Sequence, residues 1–108
     1  MRAAWLILIT AGVLETGFTT FMKLSVGFSK WQYVVPFAIC AILSFVLLNK
    51  AMVQIPLGTA YAVWTGIGAF GTALIGMIYF KEPATAWRIF FLATLVASII
   101  GLKVGSPS

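Results

Sequence analysis

The sequence predicts an all-α membrane protein with four transmembrane helices, and three observations lead to this fold class. Hydrophobic residues make up 62% of the chain, and charged residues only 8%. Such a composition lies outside the range of soluble globular domains. The basic residues separate four apolar runs, each close to the roughly 20 residues that a helix needs to cross a bilayer. We expect a single domain over residues 1–108, with helices at about residues 3–22, 31–48, 57–80 and 84–102.

The first segment carries a carboxylate deep inside an apolar run. Glu15 is one of two acidic residues in the chain, and the helical rise places it about 12 Å inside the nearer end of the segment. A charge at this depth is costly, so it marks a functional site with a partner to be found. At helical spacing, Gly12, Phe18 and Thr19 share its face, and we expect this face to line a site inside the protein.

The second segment has one hydroxyl in its apolar interior, that of Ser44. Two alternatives stay open for it. The hydroxyl either bonds back to a carbonyl of its own helix, as serines in helices often do, or donates a hydrogen bond to Glu15. In the second case, Ser44 belongs to the binding site.

The third segment combines aromatic residues with glycines. Tyr61 and Trp64 lie three positions apart and share a helix face. They are either interfacial belt residues or the wall of a cation site, with an indole face and a phenol hydroxyl. Gly66, Gly68 and Gly71 follow within two turns, so this helix can bend or approach another closely. We take Gly66 and Gly68 as candidate hinge residues.

The fourth segment predicts a contact with another helix. Ala93, Ala97 and Gly101 repeat at a spacing of four, the pattern that lets membrane helices pack backbone to backbone. We expect this face to pack in a dimer. Glu82, in the connection before this segment, is interpreted as a solvated charge.

The distribution of basic residues predicts how the chain inserts. An even number of helices puts both termini on one side. On that side lie Arg2, Lys50 and Lys103, and on the other Lys23, Lys30, Lys81 and Arg88. Because Lys/Arg asymmetry sets membrane orientation, a chain with almost none can insert both ways. This favours an antiparallel, dual-topology homodimer, which resembles the inverted repeats of larger transporters.

Several function classes are disfavoured by composition. The chain has one cysteine, Cys40, and no histidine. The sequence therefore predicts no metal site, and no nucleophile with a base or phosphate-binding loop is visible. We expect no enzymatic activity and no cofactor. The net charge of +5 belongs to interfacial anchors, so nucleic acid is not an expected partner.

Four stretches, residues 15–23, 27–28, 58–68 and 101–103, resemble the small multidrug resistance family of bacterial exporters. The resemblance covers essentially the whole chain. It implies an antiparallel homodimer in the bacterial inner membrane that exports small cations in exchange for protons. It also implies that Glu15 binds proton or substrate, that Tyr61 and Trp64 line the site, and that the glycine-rich part of the third helix bends.

Different parts of the sequence resemble two different subtypes of the family. Residues 64–69 and Ser44 are similar to the guanidinium exporters. Phe18 and residues 19–23 look more like the quaternary ammonium exporters, because the guanidinium pattern has a tryptophan where Phe18 stands. We predict a proton-coupled antiporter for quaternary ammonium and related cations, with a selective guanidinium exporter as the alternative. A passive ion channel or a non-transporting scaffold are the alternatives from other classes.

Overall fold

The computed structural model describes residues 2–105. It contains four α-helices, which are α1 (Arg2–Leu24), α2 (Trp31–Ala51), α3 (Leu57–Ile78) and α4 (Ala86–Val104). Each helix is long and apolar enough to cross a membrane, and no strand occurs within the described range. The predicted all-α membrane fold of four helices is confirmed.

The helix ends differ from the sequence expectation by a few residues, with local causes. α4 begins at Ala86 instead of residue 84 because Thr85 caps it, and the Thr85 Oγ1 accepts a hydrogen bond from the Arg88 main-chain N–H at 3.2 Å. α2 continues to Ala51, past the expected end at residue 48. α3 ends at Ile78, two residues early.

The helices form a layer in the spatial order α2, α1, α3, α4. α1 packs against both α2 and α3, while α4 packs chiefly against α3. At its end, Lys103 Nζ lies 4.9 Å from the centroid of the Trp5 ring in α1. The Cα trace extends 43 × 34 × 17 Å.

The hydrophobic core occupies the half of the layer that contains the N-terminal part of α1. Its buried members come from the first half of α1, the end of α2 with the following connection, and the first half of α3: Ala4, Trp5, Leu8, Ala11, Leu48, Ala51, Ile55, Ala60, Val63 and Trp64. The opposite half of the layer is more open. It contains the cavity described below.

The small-residue stripe of α4 is not covered by the chain itself. Ala93, Ala97 and Gly101 are exposed, and α4 has no buried residue among those described. A Cβ added at Gly101 would meet no atom within 4 Å among the described residues. The proposed dimer packing through this stripe stays a prediction.

Candidate functional site

The site lies where α1 packs against α3. Four close approaches set the register of α1 against α3. They join Gly12 with Ile67, Glu15 with Gly68, Thr16 with Gly71, and Thr19 with Thr72. The numbers rise together along both helices, so α1 and α3 run in the same direction. Glycine stands on one side of the first three contacts, which lets the two backbones approach closely enough for polar side chains to fit between them.

Glu15 fills the space that a side chain at residue 68 would need. A Cβ built on Gly68 would lie 2.7 Å from Glu15 Cγ and would overlap the carboxyl group. The Glu15 Oε1 atom is buried and has no hydrogen-bond partner within residues 2–105. Since buried polar atoms are nearly always paired, this oxygen is available to a ligand or a proton.

A cavity of about 390 Å³ opens beside Glu15, between α1 and α3. Its polar wall is formed by Glu15, Thr19, Thr20 and Thr72, and its charged side chains at the far end are Lys23, Glu82 and Arg88. Lys23 belongs to the last turn of α1, Glu82 lies in the connection between α3 and α4, and Arg88 lies in the first turn of α4. The cavity therefore runs from the middle of the layer to the end where these helices approach the membrane surface.

Threonine hydroxyls tie α1 to α3 along this cavity. Thr19 Oγ1 and Thr72 Oγ1 are 2.6 Å apart and share a hydrogen bond. One turn earlier, Thr16 Oγ1 donates to the Gly68 carbonyl at 3.4 Å. Each of these hydroxyls keeps lone pairs that accept hydrogen bonds, so the wall next to Glu15 is polar without carrying charge.

Ser44 takes neither of the two partners expected from the sequence. Its hydroxyl is fully buried, donates to the Ala11 carbonyl of α1 at 2.7 Å, and accepts from Trp64 Nε1 at 2.9 Å. Ala11 lies one turn before Glu15. Ser44 therefore joins α1, α2 and α3 next to the carboxylate without bonding it, because α2 meets α1 one turn away from Glu15.

The predicted aromatic residues form a separate group, which adjoins Ser44 through Trp64. The Trp64 ring contacts the rings of Phe45 and Tyr61 in tilted arrangements, each at a centroid distance of 5.8 Å, and Phe18 contacts Phe45 at 5.9 Å. Tyr61 is 55% exposed in the single chain. None of Phe18, Tyr61 and Trp64 is among the residues that line the cavity. The structure thus brings Glu15, Gly12, Thr19 and Gly68 to one interface and groups the aromatic residues beside it.

The two proposed hinge glycines make close contacts on different faces of α3. A Cβ at Gly66 would come within 2.9 Å of Ile99 Cδ1 in α4, while Gly68 faces Glu15 in α1. α3 is continuous from Leu57 to Ile78. The glycines therefore let α3 pack closely on both neighbours, and bending at these positions stays a prediction.

Two threonines at the contact of α1 and α3 were missed by the sequence reasoning, of which Thr72 lines the cavity and Thr16 does not. Thr72 lies four residues after Gly68 and thus on the same helix face, a signal that could have identified it. Thr16, next to Glu15, gave no signal, because its partner is a carbonyl of α3. Glu82 was expected to be a solvated charge, and its side chain is 42% exposed; its Oε1 also accepts a hydrogen bond from Arg88 Nη2 at 2.6 Å.

The chemistry of the site is that of cation binding. A carboxyl oxygen without a partner, beside a cavity with neutral hydroxyls, can accept either a proton or an organic cation. No group of three or more metal-ligating side chains occurs among the described residues. Four membrane-spanning helices with a carboxylate at membrane depth are the features of a small membrane transporter for cations.

Comparison with known proteins gives the family. The sequence profile described as Small Multidrug Resistance protein matches residues 3–95, and the chain belongs to this family. It is 46% identical over 103 residues to the guanidinium exporter of Yersinia pseudotuberculosis, covering 95% of this chain and 99% of that protein. It is 44% identical to the guanidinium exporter of Escherichia coli K12 over 95% and 98% of the two chains.

A further relative is the "Probable guanidinium efflux system subunit GdnD" of Bacillus licheniformis, which is 43% identical over 93% of this chain and 96% of its own length. The names of these three relatives describe export, not catalysis. With its four apolar helices, the chain is a multi-pass protein of the bacterial inner membrane.

Proposed function

We propose that this protein exports guanidinium-type cations in exchange for protons, and that Glu15 binds the two in turn. The observation that carries the proposal is the buried Oε1 of Glu15, which lies beside the cavity and has no hydrogen-bond partner among the described residues. The relatives named as guanidinium exporters support this substrate over the broader quaternary ammonium range that we favoured from the sequence.

The chemistry of guanidinium suits this setting. The ion is planar and carries N–H donors around its edge, so a good site offers several acceptors in addition to one negative charge. Glu15 supplies the charge, and the hydroxyl oxygens of Thr19 and Thr72 supply neutral acceptors within the same cavity. A quaternary ammonium ion donates no such hydrogen bonds and would leave these acceptors unsatisfied.

Coupling follows from competition for one carboxylate. A guanidinium ion binds the deprotonated form of Glu15 and leaves when a proton replaces it. If the site opens to one side of the membrane at a time, neither ion can cross without the exchange. The small-residue stripe of α4 is exposed in the single chain, so we propose an antiparallel homodimer in which a second copy completes the site through this stripe.

The decisive experiment is transport into proteoliposomes. Wild-type protein should take up labelled guanidinium in response to a pH difference across the membrane, and Glu15→Gln should abolish this uptake. Thr10→Val is a matched control, because the Thr10 hydroxyl only bonds the Leu6 carbonyl of its own helix, away from the cavity. Proton-coupled guanidinium uptake by the Glu15→Gln protein would refute the proposal.

A second candidate substrate class is the quaternary ammonium ions. The observation in its favour is Phe18, which contacts Phe37 and Phe45 and offers no hydrogen-bond donor at this position. Uptake of labelled tetramethylammonium into the same proteoliposomes separates the two classes. A larger response to tetramethylammonium than to guanidinium favours this candidate, whereas currents without proton coupling would indicate a channel.

A further inference from the structure

Both acidic residues of the chain line the same cavity. The sequence has only Glu15 and Glu82, and the cavity wall includes both side chains. The exchange proposed above uses Glu15 alone. A cation that travels between Glu15 and the outer end of the cavity must nevertheless pass the carboxylate of Glu82.

The loop after α3 turns Glu82 back over the end of the cavity. Lys81 has a left-handed φ of +58°, which is uncommon for a residue with a side chain. The Glu82 main-chain N–H then donates to the Gly76 carbonyl at 3.0 Å. The carboxyl group lies against Gly76, where a Cβ would come within 2.8 Å of Glu82 Cδ. The loop backbone and the glycine thus hold the carboxylate at the cavity.

The present partner of Glu82 is itself a guanidinium group. Arg88 Nη2 donates to Glu82 Oε1 at 2.6 Å, and its Nη1 lies 3.5 Å from the Pro83 carbonyl. The side chains of Arg88 and Glu82 are 32% and 42% exposed. Ion pairs with this exposure contribute little to stability, so a soluble cation that binds the carboxylate in the same way can displace the arginine.

We propose that Glu82 is an outer binding site for guanidinium-type cations, occupied by the Arg88 side chain until a substrate ion displaces it. The proposal rests on the cation export proposed above and adds a second site to it. The Glu82–Arg88 pair has the same chemistry as the complex between a guanidinium ion and a carboxylate. The outer site therefore recognises the substrate before the ion reaches Glu15, or holds it after release.

Arginine labelling offers a direct test, because Arg2 and Arg88 are the only arginines in the sequence. Protein labelled with ¹⁵N-arginine should give two side-chain Nε–H signals in detergent micelles, and Arg88→Lys assigns them. Addition of guanidinium should shift the Arg88 signal and leave that of Arg2 unchanged. The same concentration of tetramethylammonium, which has no N–H donors, should shift the Arg88 signal much less.

Transport kinetics provide a second measurement. Glu82→Gln should raise the KM for guanidinium by about two- to fivefold, the range expected for loss of an exposed ion pair, with a smaller effect on the maximal rate. Arg88→Gln removes the internal competitor and should lower the KM by a similar factor. Lys81→Gln is the matched control, since it removes one positive charge next to Glu82, but Lys81 does not line the cavity.

The NMR titration repeated on Glu15→Gln separates this proposal from the function on which it rests. A persistent Arg88 shift in this variant, with export abolished, supports both. An Arg88 signal that does not respond at guanidinium concentrations that saturate transport overturns the outer site and leaves the exporter function standing. Equal KM changes in Arg88→Gln and Lys81→Gln also overturn it, because they indicate a general surface-charge effect.

Discussion

The hydrogen bonds of Ser44 give a prediction whose size follows from the structure. Ser44→Ala removes a bond to the Ala11 carbonyl and leaves the indole N–H of buried Trp64 without its acceptor. At about 0.5–1.5 kcal/mol for each bond, and near the lower end for bonds between membrane helices, the cost is about 1–2 kcal/mol. Unfolding in mixed micelles of mild detergent and dodecyl sulfate, followed by tryptophan fluorescence, measures it.

A double-mutant cycle isolates the contribution of the Ser44–Trp64 bond. Trp64→Phe keeps an aromatic ring and removes the N–H, so the double variant should be less destabilised than the sum of the single variants by about 0.5–1.5 kcal/mol. Thr94→Ala is the control, because this exposed hydroxyl only bonds the Phe90 carbonyl of its own helix. Strictly additive effects of the two substitutions would refute the hydrogen bond as a link between α2 and α3.

Three further predictions concern the site and the assembly. Gly68→Ala should abolish guanidinium transport because the new Cβ overlaps the Glu15 carboxyl group, whereas Gly58→Ala, which meets no described atom within 4 Å, should transport normally in the same proteoliposome assay. Guanidinium binding, measured by calorimetry, should weaken as the pH falls because protons compete for Glu15; binding to wild-type protein that does not change with pH would contradict the exchange. Ala97→Phe places a bulky ring in the exposed stripe of α4 and should lower the dimer fraction in cross-linking; an unchanged fraction would move the dimer contact elsewhere.

The fold could be predicted from the sequence because membrane helices are set by local properties. Runs of apolar residues between basic ones determine where each helix crosses, whatever it packs against. The ends were less predictable, since they depend on local hydrogen bonds such as the Thr85 cap of α4. A threonine cap involves only the threonine side chain and a main-chain N–H of the next turn. Whether the helix begins after residue 83, 84 or 85, however, depends on the geometry of the connection.

The site was predictable only in part. Glu15 is evident from the energetic cost of its charge, and Gly68 from the glycines on its helix. The hydrogen-bond partner of Ser44 could not be predicted, because it depends on which turn of α1 contacts α2 at this position. Likewise, the contact between Thr19 and Thr72 requires the parallel register of α1 and α3, which no local pattern encodes.

The parallel packing of α1 and α3 has a consequence for biosynthesis. Thr72 follows Thr19 by 53 residues, so at typical synthesis rates the packing partner of the first helix leaves the ribosome roughly 3–10 s later. During this interval the nascent α1 holds its acidic side chain in or near the insertion machinery without the glycine surface that later covers it. Membrane insertion of α1 must therefore depend on its own apolar residues, and slower synthesis between α1 and α3 lengthens the time that the carboxyl group spends unprotected.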